Sequence, residues 1–345
     1  MSLSTEFERV ELPLENAFTI ARGTQKTAEN VVVRIEDEEG RVGVGGAAPS
    51  SHYGETAATV EAVLPDLLAV VEDVGDPHLL DRIERRLAET VRRNPAARCA
   101  VSIALHDLVC KRLDVPLYRY WGFDPAETVE TSYTIGIDTA DEMREKTVTA
   151  IERGFTTLKV KVGTDRDEEI VSAVRSAAPE AAIRVDANEA WSPREAVRKI
   201  ERLADYELEF VEQPVPADDP DGLRFVRERS PLPIAADESC ITLGDVPRIA
   251  DKADIANLKL MKCGSLREAK RMIHAARAHG LDVMLGCMIE SNASIAAAAH
   301  LAPLLDYADL DGSLLLAEDP YAGVPMPDGE IDLSADHPGA GARTE

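Results

Sequence analysis

Lysine is scarce in this chain. Of 38 basic residues among 345, ten are lysine and 28 are arginine, against 63 acidic residues, so the formal net charge is −25 at pH 7. A surface of that sign repels phosphate backbones and anionic lipid headgroups, which argues against nucleic-acid binding and against docking on acidic membranes. Cysteine is also thin. The five residues Cys99, Cys110, Cys240, Cys263 and Cys287 are widely spaced and form no C-x-x-C pair, so neither a disulfide framework nor a thiolate zinc site is indicated. Aromatics reach only 4% within an apolar content of 45%, so a large core must be built from aliphatic side chains. No apolar run attains the ~20 residues of a membrane span. The opening M-S-L-S-T-E-F-E-R-V has no signal-peptide apolar core, and a cytoplasmic location is the expectation. Scattered acids with arginine in place of lysine suit a cytoplasm of very high salt, where screening makes such a surface tolerable. A halophilic source is therefore expected, with loss of folding in low salt as its consequence.

The length suits a barrel with a smaller companion domain. Residues 1–125 read as α+β. V-V-V-R-I-E-D-E-E-G-R-V-G-V-G (31–45) is a strand, a turn at Glu39-Gly40 and a second strand, and helical periodicity follows over 55–73, 78–93 and 96–113. Pro125 marks the boundary. Over 126–315 the texture becomes regular: short apolar strands alternate with helical stretches, and a polar residue recurs at the strand ends at Thr134, Lys159, Asp186, Glu212, Asp237, Lys259 and Asp309. A repeat of about 22 to 28 residues predicts a (β/α)₈ barrel, whose active site lies at the C-terminal ends of its strands. The Pro- and Gly-rich segment 316–345 is expected to pack back on the first domain.

Four of the ten lysines occupy two strand-like segments, T-T-L-K-V-K-V-G (156–163) and N-L-K-L-M-K-C-G (257–264). Period-two alternation puts Lys159 and Lys161 on one face. D-A-N, V-E-Q-P and D-E-S place Asp186, Glu212 and Asp237 at three consecutive strand ends. Each acid alone reads equally well as a helix N-cap. Three together repel one another unless a cation compensates, and three oxygen donors with room for water suit Mg²⁺. Lys161 and Lys259, on the second and sixth strands, then stand on opposite sides of the ring. Repulsion from Lys159, the metal and desolvation are expected to lower the Lys161 pKa toward that of a usable base. The competing reading is a salt-bridge network in which the lysines merely neutralise acids.

K-V-K, D-A-N, V-E-Q-P, A-D-E-S and N-L-K-L-M-K-C-G, in this order, resemble the enolase superfamily, muconate lactonizing enzyme subgroup, over nearly the whole chain. The resemblance implies an enolase-like modified barrel under an N-terminal α+β capping domain, one Mg²⁺ per subunit on Asp186, Glu212 and Asp237, proton handling by Lys161 and Lys259, and support of Lys161 by Lys159. A-D-L-D-G, with Asp309 and Asp311, resembles the D-x-D that holds a substrate α-ammonium in dipeptide epimerases. A-F-T-I-A-R-G-T (17–24) resembles the mobile capping loop whose arginine, here Arg22, meets an acidic side chain in L-Ala-D/L-Glu epimerases. Specificity loops are thus expected near 16–25 and 48–55, with a hydrogen bond from Thr134 near the lysines. The implied reaction is 1,1-proton transfer at the α-carbon of the C-terminal residue of a dipeptide, in a homo-oligomer. Within the superfamily, N-succinylamino acid racemisation, o-succinylbenzoate synthesis and cycloisomerisation would use the same lysines, but their substrates offer no ammonium for Asp309 and Asp311. A Schiff-base barrel aldolase, needing no metal, is a more distant alternative. Gly46 and Ser265 depart from the family pattern, which usually has Glu and Gly there.

Overall fold

The computed structural model describes residues 3–334 and 337–344. Three antiparallel strands open the chain: β1 (Leu3–Ile20), β2 (Gly23–Asp37) and β3 (Val42–Ala47), in the order β1-β2-β3. One face of this sheet carries three helices, Ala57–Val74, Leu80–Thr90 and Pro95–Leu113. The contact is closest at β3. A Cβ on Gly43 or Gly45 would stand 2.1 Å from the carbonyl oxygens of Ala104 and Ala100, so only glycine lets the 95–113 helix lie on the strand backbone. Gly46 faces a different helix: a Cβ there would come within 3.2–3.3 Å of Ala293 and Ser294. A glutamate at 46 would have to push this helix, Asn292–Ala299, away from the sheet.

Eight parallel strands follow: β4 (Tyr133–Ile135), β5 (Thr157–Lys161), β6 (Ala182–Asp186), β7 (Val211–Glu212), β8 (Ile234–Ala236), β9 (Ile255–Lys259), β10 (Asp282–Gly286) and β11 (Tyr307–Asp309). Each pairs with its sequence neighbours. A parallel bridge between Thr131 and Ala308 joins the first of the eight to the last and closes the ring. The barrel expected from the repeat is therefore present. Leu158 and Val160 of β5 are buried with the apolar core, while the alternate residues belong to the barrel interior. That interior is layered. Phe210, Ala235, Ile255, Met284 and Tyr307 form an apolar plug at one end, and two residues further along the strands the lining turns titratable. The Arg184 guanidinium lies 5.3 Å from the Phe210 ring and 5.0 Å from the Tyr307 ring, at the edge of the plug.

The segment after β11 touches both halves. Leu316 bridges Leu14, Ala340 N–H donates to Asp107 at 2.7 Å, and Thr131 N–H donates to the Gly329 carbonyl at 2.9 Å. The two halves also meet at a buried polar knot. Glu84, from the 80–90 helix, accepts from Ser102 and, at 3.4 Å, from Ser265, which itself caps the Leu266–Ala278 helix. Ser265 thus has a structural task that a glycine could not perform. Burial, opposed by the Ser102 hydroxyl, raises the Glu84 carboxyl to about 7 from 4.5. At pH 6 the folded chain keeps a proton that the unfolded chain has released, so this group lowers stability progressively as pH rises from 4.5 to 7. Glu84→Gln, which keeps an oxygen acceptor for Ser102 and turns an amide NH₂ donor toward the Ser265 hydroxyl, is expected to raise stability at pH 8 by roughly 1–3 kcal/mol and to leave it nearly unchanged at pH 4.5. Thermal melts of both chains across that range check this.

Candidate active site

The C-terminal ends of the barrel strands bring the charged residues of the sequence motifs into one buried cluster. Asp186, Glu212 and Asp237 are fully buried, at 0% exposure, and Lys159, Lys161 and Lys259 reach no more than 8%. Strand register builds the arrangement. Lys159 pairs with Thr134 and Arg184, Lys161 with Asp186, and Asp186 with Glu212, so side chains of equal height converge on the axis. Lys161 and Lys259 end β5 and β9, which stand four strands apart in a ring of eight and so on opposite sides. The seventh barrel strand gives no charged residue here for a steric reason. A Cβ on Gly286 would lie 3.1 Å from Lys259 Cε and 2.9 Å from Asn257, so glycine leaves the room that Lys259 occupies.

The lysines pair with carboxylates rather than with one another. Lys161 Nζ donates to Asp186 Oδ2 at 2.6 Å, and Lys259 Nζ donates to Asp237 Oδ2 at 2.8 Å. Lys159 sits deepest, with Asp309 at 2.8 Å, Glu212 at 2.8 Å and Asp186 at 3.2 Å. Against the like-charge repulsion expected along β5, Lys159 and Lys161 each meet a carboxylate. Burial does pull Lys159 down, but attraction by Asp309, Glu212, Asp186 and Asp237 outweighs it and holds the ammonium well above its ordinary value. Lys259 is raised in the same way, burial being overcome mainly by Asp237. Adjacency along β5 counted one neighbour, whereas the ring supplies four acids.

The three carboxylates offer hard oxygen donors on adjacent strands. Glu212 Oε1 accepts from Asn257 at 2.8 Å. Its Oε2 lies within 2.8 Å of Lys159 Nζ but off the direction a hydrogen bond needs, and is left without a hydrogen-bond donor. Burial and the neighbouring Asp186 push the Glu212 carboxyl up to about 7, the mark of an acid short of countercharge. An all-oxygen donor set with an orphaned buried oxygen fits a hard divalent cation of the Mg²⁺ type. Two motif residues that sequence reasoning left without a role hold these acids in place. Asn188 N–H donates to Asp186 Oδ1 at 2.9 Å, and Gln213 accepts the Asp237 and Ser239 N–H groups at 3.0 and 3.1 Å. Lys262, fully buried, donates to Asp237 Oδ1 at 2.6 Å.

Above the cluster opens a cavity of ≈ 570 Å³. Thr134, Asp309 and Asp311 line one side of it, with Lys161 and Lys259 also in its wall. Asp309 is committed on both oxygens, to Ser132 and Lys159. Asp311 accepts the Thr134 N–H, at 2.6 Å, and the Thr134 side chain also bonds to it. Thr134 thus reaches Asp311 through both its backbone and its side chain and makes no hydrogen bond to a lysine. Residues 16–25 are not a loose loop but a hairpin tip: β1 runs to Ile20, Ala21 and Arg22 form the turn, and β2 starts at Gly23. Arg22 points into the mouth, where Glu238 Oε1 lies 2.8 Å and Glu189 Oε2 3.3 Å from it. His52, from a short turn at Ser51–Tyr53, reaches Glu189 at 3.2 Å. His52, Glu189 and Glu238 present a second set of close donors, and the cation held there is the Arg22 guanidinium. Sequence reasoning missed His52, Glu189 and Glu238; the D-E-S motif contained Glu238, but nothing linear marked the other two.

Residues 4–122 match the mandelate racemase/muconate lactonizing enzyme N-terminal domain, and residues 142–344 match the enolase C-terminal domain-like family. The chain belongs to the mandelate racemase/muconate lactonizing enzyme family. Among the members of this family, it is 41% identical over 333 residues to the L-Ala-D/L-Glu epimerase of Bacteroides thetaiotaomicron, covering 96% of this chain and 85% of that protein. The dipeptide epimerase of Enterococcus faecalis, solved with Mg and L-Leu-L-Tyr, is 36% identical with a TM-score of 0.91 over 99% of both chains. A substrate-liganded L-Ala-D/L-Glu epimerase from Bacillus subtilis is 33% identical with a TM-score of 0.93, again over 99% of both. The superfamily suggested by the motif order is thus the one to which the whole chain is similar.

Proposed function

We propose that the protein is a Mg²⁺-dependent dipeptide epimerase, an isomerase that inverts the α-carbon of the C-terminal residue. The observation that carries this reading is the cavity wall itself: two lysines on opposite strands of one ring, with three buried carboxylates between them and Asp311 above. The dipeptide epimerases among its relatives support it. Asp186, Glu212 and Asp237 would hold the cation. Bound there, Mg²⁺ supplies Lewis-acid stabilisation of the charge that develops on the substrate carboxylate as the α-proton leaves. Lys161 and Lys259 do the proton work, one Nζ taking the α-proton and the other delivering a proton to the opposite face; they exchange roles when the reaction reverses. Lys159 stays protonated among Asp309, Glu212 and Asp186 and holds the acids at fixed spacing. Asp311, with Asp309 behind it, receives the α-ammonium. Arg22 meets the side chain of the second residue, and the hairpin tip with the 51–53 turn keeps water from the cavity.

An ammonium-seeking carboxylate pair disfavours N-acylated substrates and so N-succinylamino acid racemisation. The test is α-deuterium incorporation from D₂O, by mass spectrometry, across a dipeptide library with Mg²⁺ in concentrated KCl. Exchange in L-Ala-L-Glu or related dipeptides supports the proposal, and exchange confined to N-succinylamino acids sinks it. A halophilic, cytoplasmic setting and a homo-oligomer belong to the same proposal. The charge of −25 predicts that thermal stability rises steeply with KCl through the molar range; equal stability in dilute buffer contradicts it.

A further inference from the structure

Both capping segments reach one barrel carboxylate, Glu189, while Arg22 also donates to Glu238 at 2.8 Å. Glu189 Oε2 lies 3.3 Å from Arg22 Nη1 at the hairpin tip and 3.2 Å from His52 Nε2 in the 51–53 turn. Its other oxygen accepts the Ala217 N–H at 2.8 Å, which ties it to the segment after β7. The backbone is bent to bring it there. Asn188 and Glu189 have φ of 43° and 68°, a left-handed pair that non-glycine residues adopt at a cost. Arg22 and His52 line the cavity, whereas Glu189 stands behind them. A guanidinium backed this closely by a carboxylate presents less net positive charge to a ligand than a free arginine does.

We infer that Glu189 is a positioning and specificity-determining residue: it fastens both capping segments over the barrel mouth and, by countering Arg22, lets the site accept neutral as well as acidic second residues. The charge-preference half of this inference rests on the proposed dipeptide epimerisation; the fastening half does not. A residue of this kind works by what it cancels, so its removal sharpens the preference for anions instead of abolishing turnover.

The experiment compares wild type with Glu189→Gln, which keeps the side-chain size and an acceptor for Ala217. In the variant, kcat/KM for L-Ala-L-Glu relative to L-Ala-L-Leu is expected to rise roughly five- to tenfold. Adding Arg22→Met to Glu189→Gln is expected to erase that gain. A merely structural role lowers kcat/KM for both dipeptides alike; an unchanged ratio overturns the charge role. Hydrogen exchange of the same proteins reads the fastening directly. Amides over 16–25 and 48–55 are expected to exchange faster in Glu189→Gln, and unaltered exchange in both segments overturns it. Glu189→Asp withdraws the carboxylate but keeps its charge, so it is expected to loosen the segments with a smaller change in the substrate ratio; it serves if the Gln variant fails to fold. Should wild type turn over no dipeptide at all, the epimerase reading fails by itself, and hydrogen exchange still decides whether Glu189 holds the two segments.

Discussion

Lys161→Ala and Lys259→Ala are each expected to lower kcat for epimerisation in both directions by about 10²–10⁴-fold. Inversion needs a base on one face and an acid on the other, so losing either stops the forward and the reverse reaction together. The variants differ in what survives. Each keeps one amine, and that amine can still remove the α-proton of the one epimer that presents it and return a solvent proton to the same face. Lys161→Ala is therefore expected to exchange the α-hydrogen of one epimer without inverting it, and Lys259→Ala that of the other. Nuclear magnetic resonance in D₂O, with each pure epimer in turn, reads this reciprocal pattern. Full epimerisation by either variant removes the lysine concerned from the proton pathway. The pairing of Lys161 with Asp186 and of Lys259 with Asp237 adds a structural cost, so Lys161→Arg and Lys259→Arg, which retain the charge, separate lost chemistry from lost stability.

Lys159→Met carries the largest expected effect on stability. Lys159 is buried, with the carboxylates of Asp309, Glu212 and Asp186 all within 3.2 Å of its Nζ. Removing one partner of a buried ionic cluster costs about 3–5 kcal/mol, because Glu212 and Asp309 are left with neither water nor a close countercharge while Asp186 keeps only Lys161. The loss depends on pH. With Lys159 gone, Glu212 and Asp309 hold protons more tightly when folded than when unfolded, so the variant is destabilised further as pH rises above the ordinary carboxylate range. A divalent cation on Asp186, Glu212 and Asp237 would restore part of the missing charge. Mg²⁺ should accordingly raise the melting temperature of Lys159→Met by more than that of wild type, and EDTA should reverse the gain. Melting curves of both proteins with Mg²⁺ and with EDTA measure the difference, and an equal Mg²⁺ response in the two speaks against a shared countercharge role.

The barrel was legible because seven of the eight strands carry a polar residue at or near the end, at Thr134, Lys159, Asp186, Glu212, Asp237, Lys259 and Asp309, within otherwise apolar runs. Such residues are too costly to bury unless they meet, and a closed parallel ring makes them meet. What the pattern could not supply is the count of neighbours across the ring. Lys159 and Lys161 look like mutually repelling cations when read along β5, yet register sets Lys159 among acids from β6, β7 and β11. The capping hairpin was harder to see. The alternation over Leu3–Leu14 is interrupted at Pro13, and the pairing register shifts between Pro13 and Phe18, so the strand that positions Arg22 leaves a broken signature. Glu189 and His52 have none: one is an ordinary acid in a left-handed bend and the other a lone histidine in a polar turn. Gly286 is a further case, since a glycine that makes space for Lys259 resembles any other strand glycine until the side chain it accommodates is in view.

The most direct test follows the first turnover of wild-type protein in D₂O, starting from one pure dipeptide epimer with Mg²⁺ and saturating KCl. With separate amines at the two faces, the inverted product carries α-deuterium from its first appearance. Product that retains the original α-proton would contradict the two-lysine arrangement.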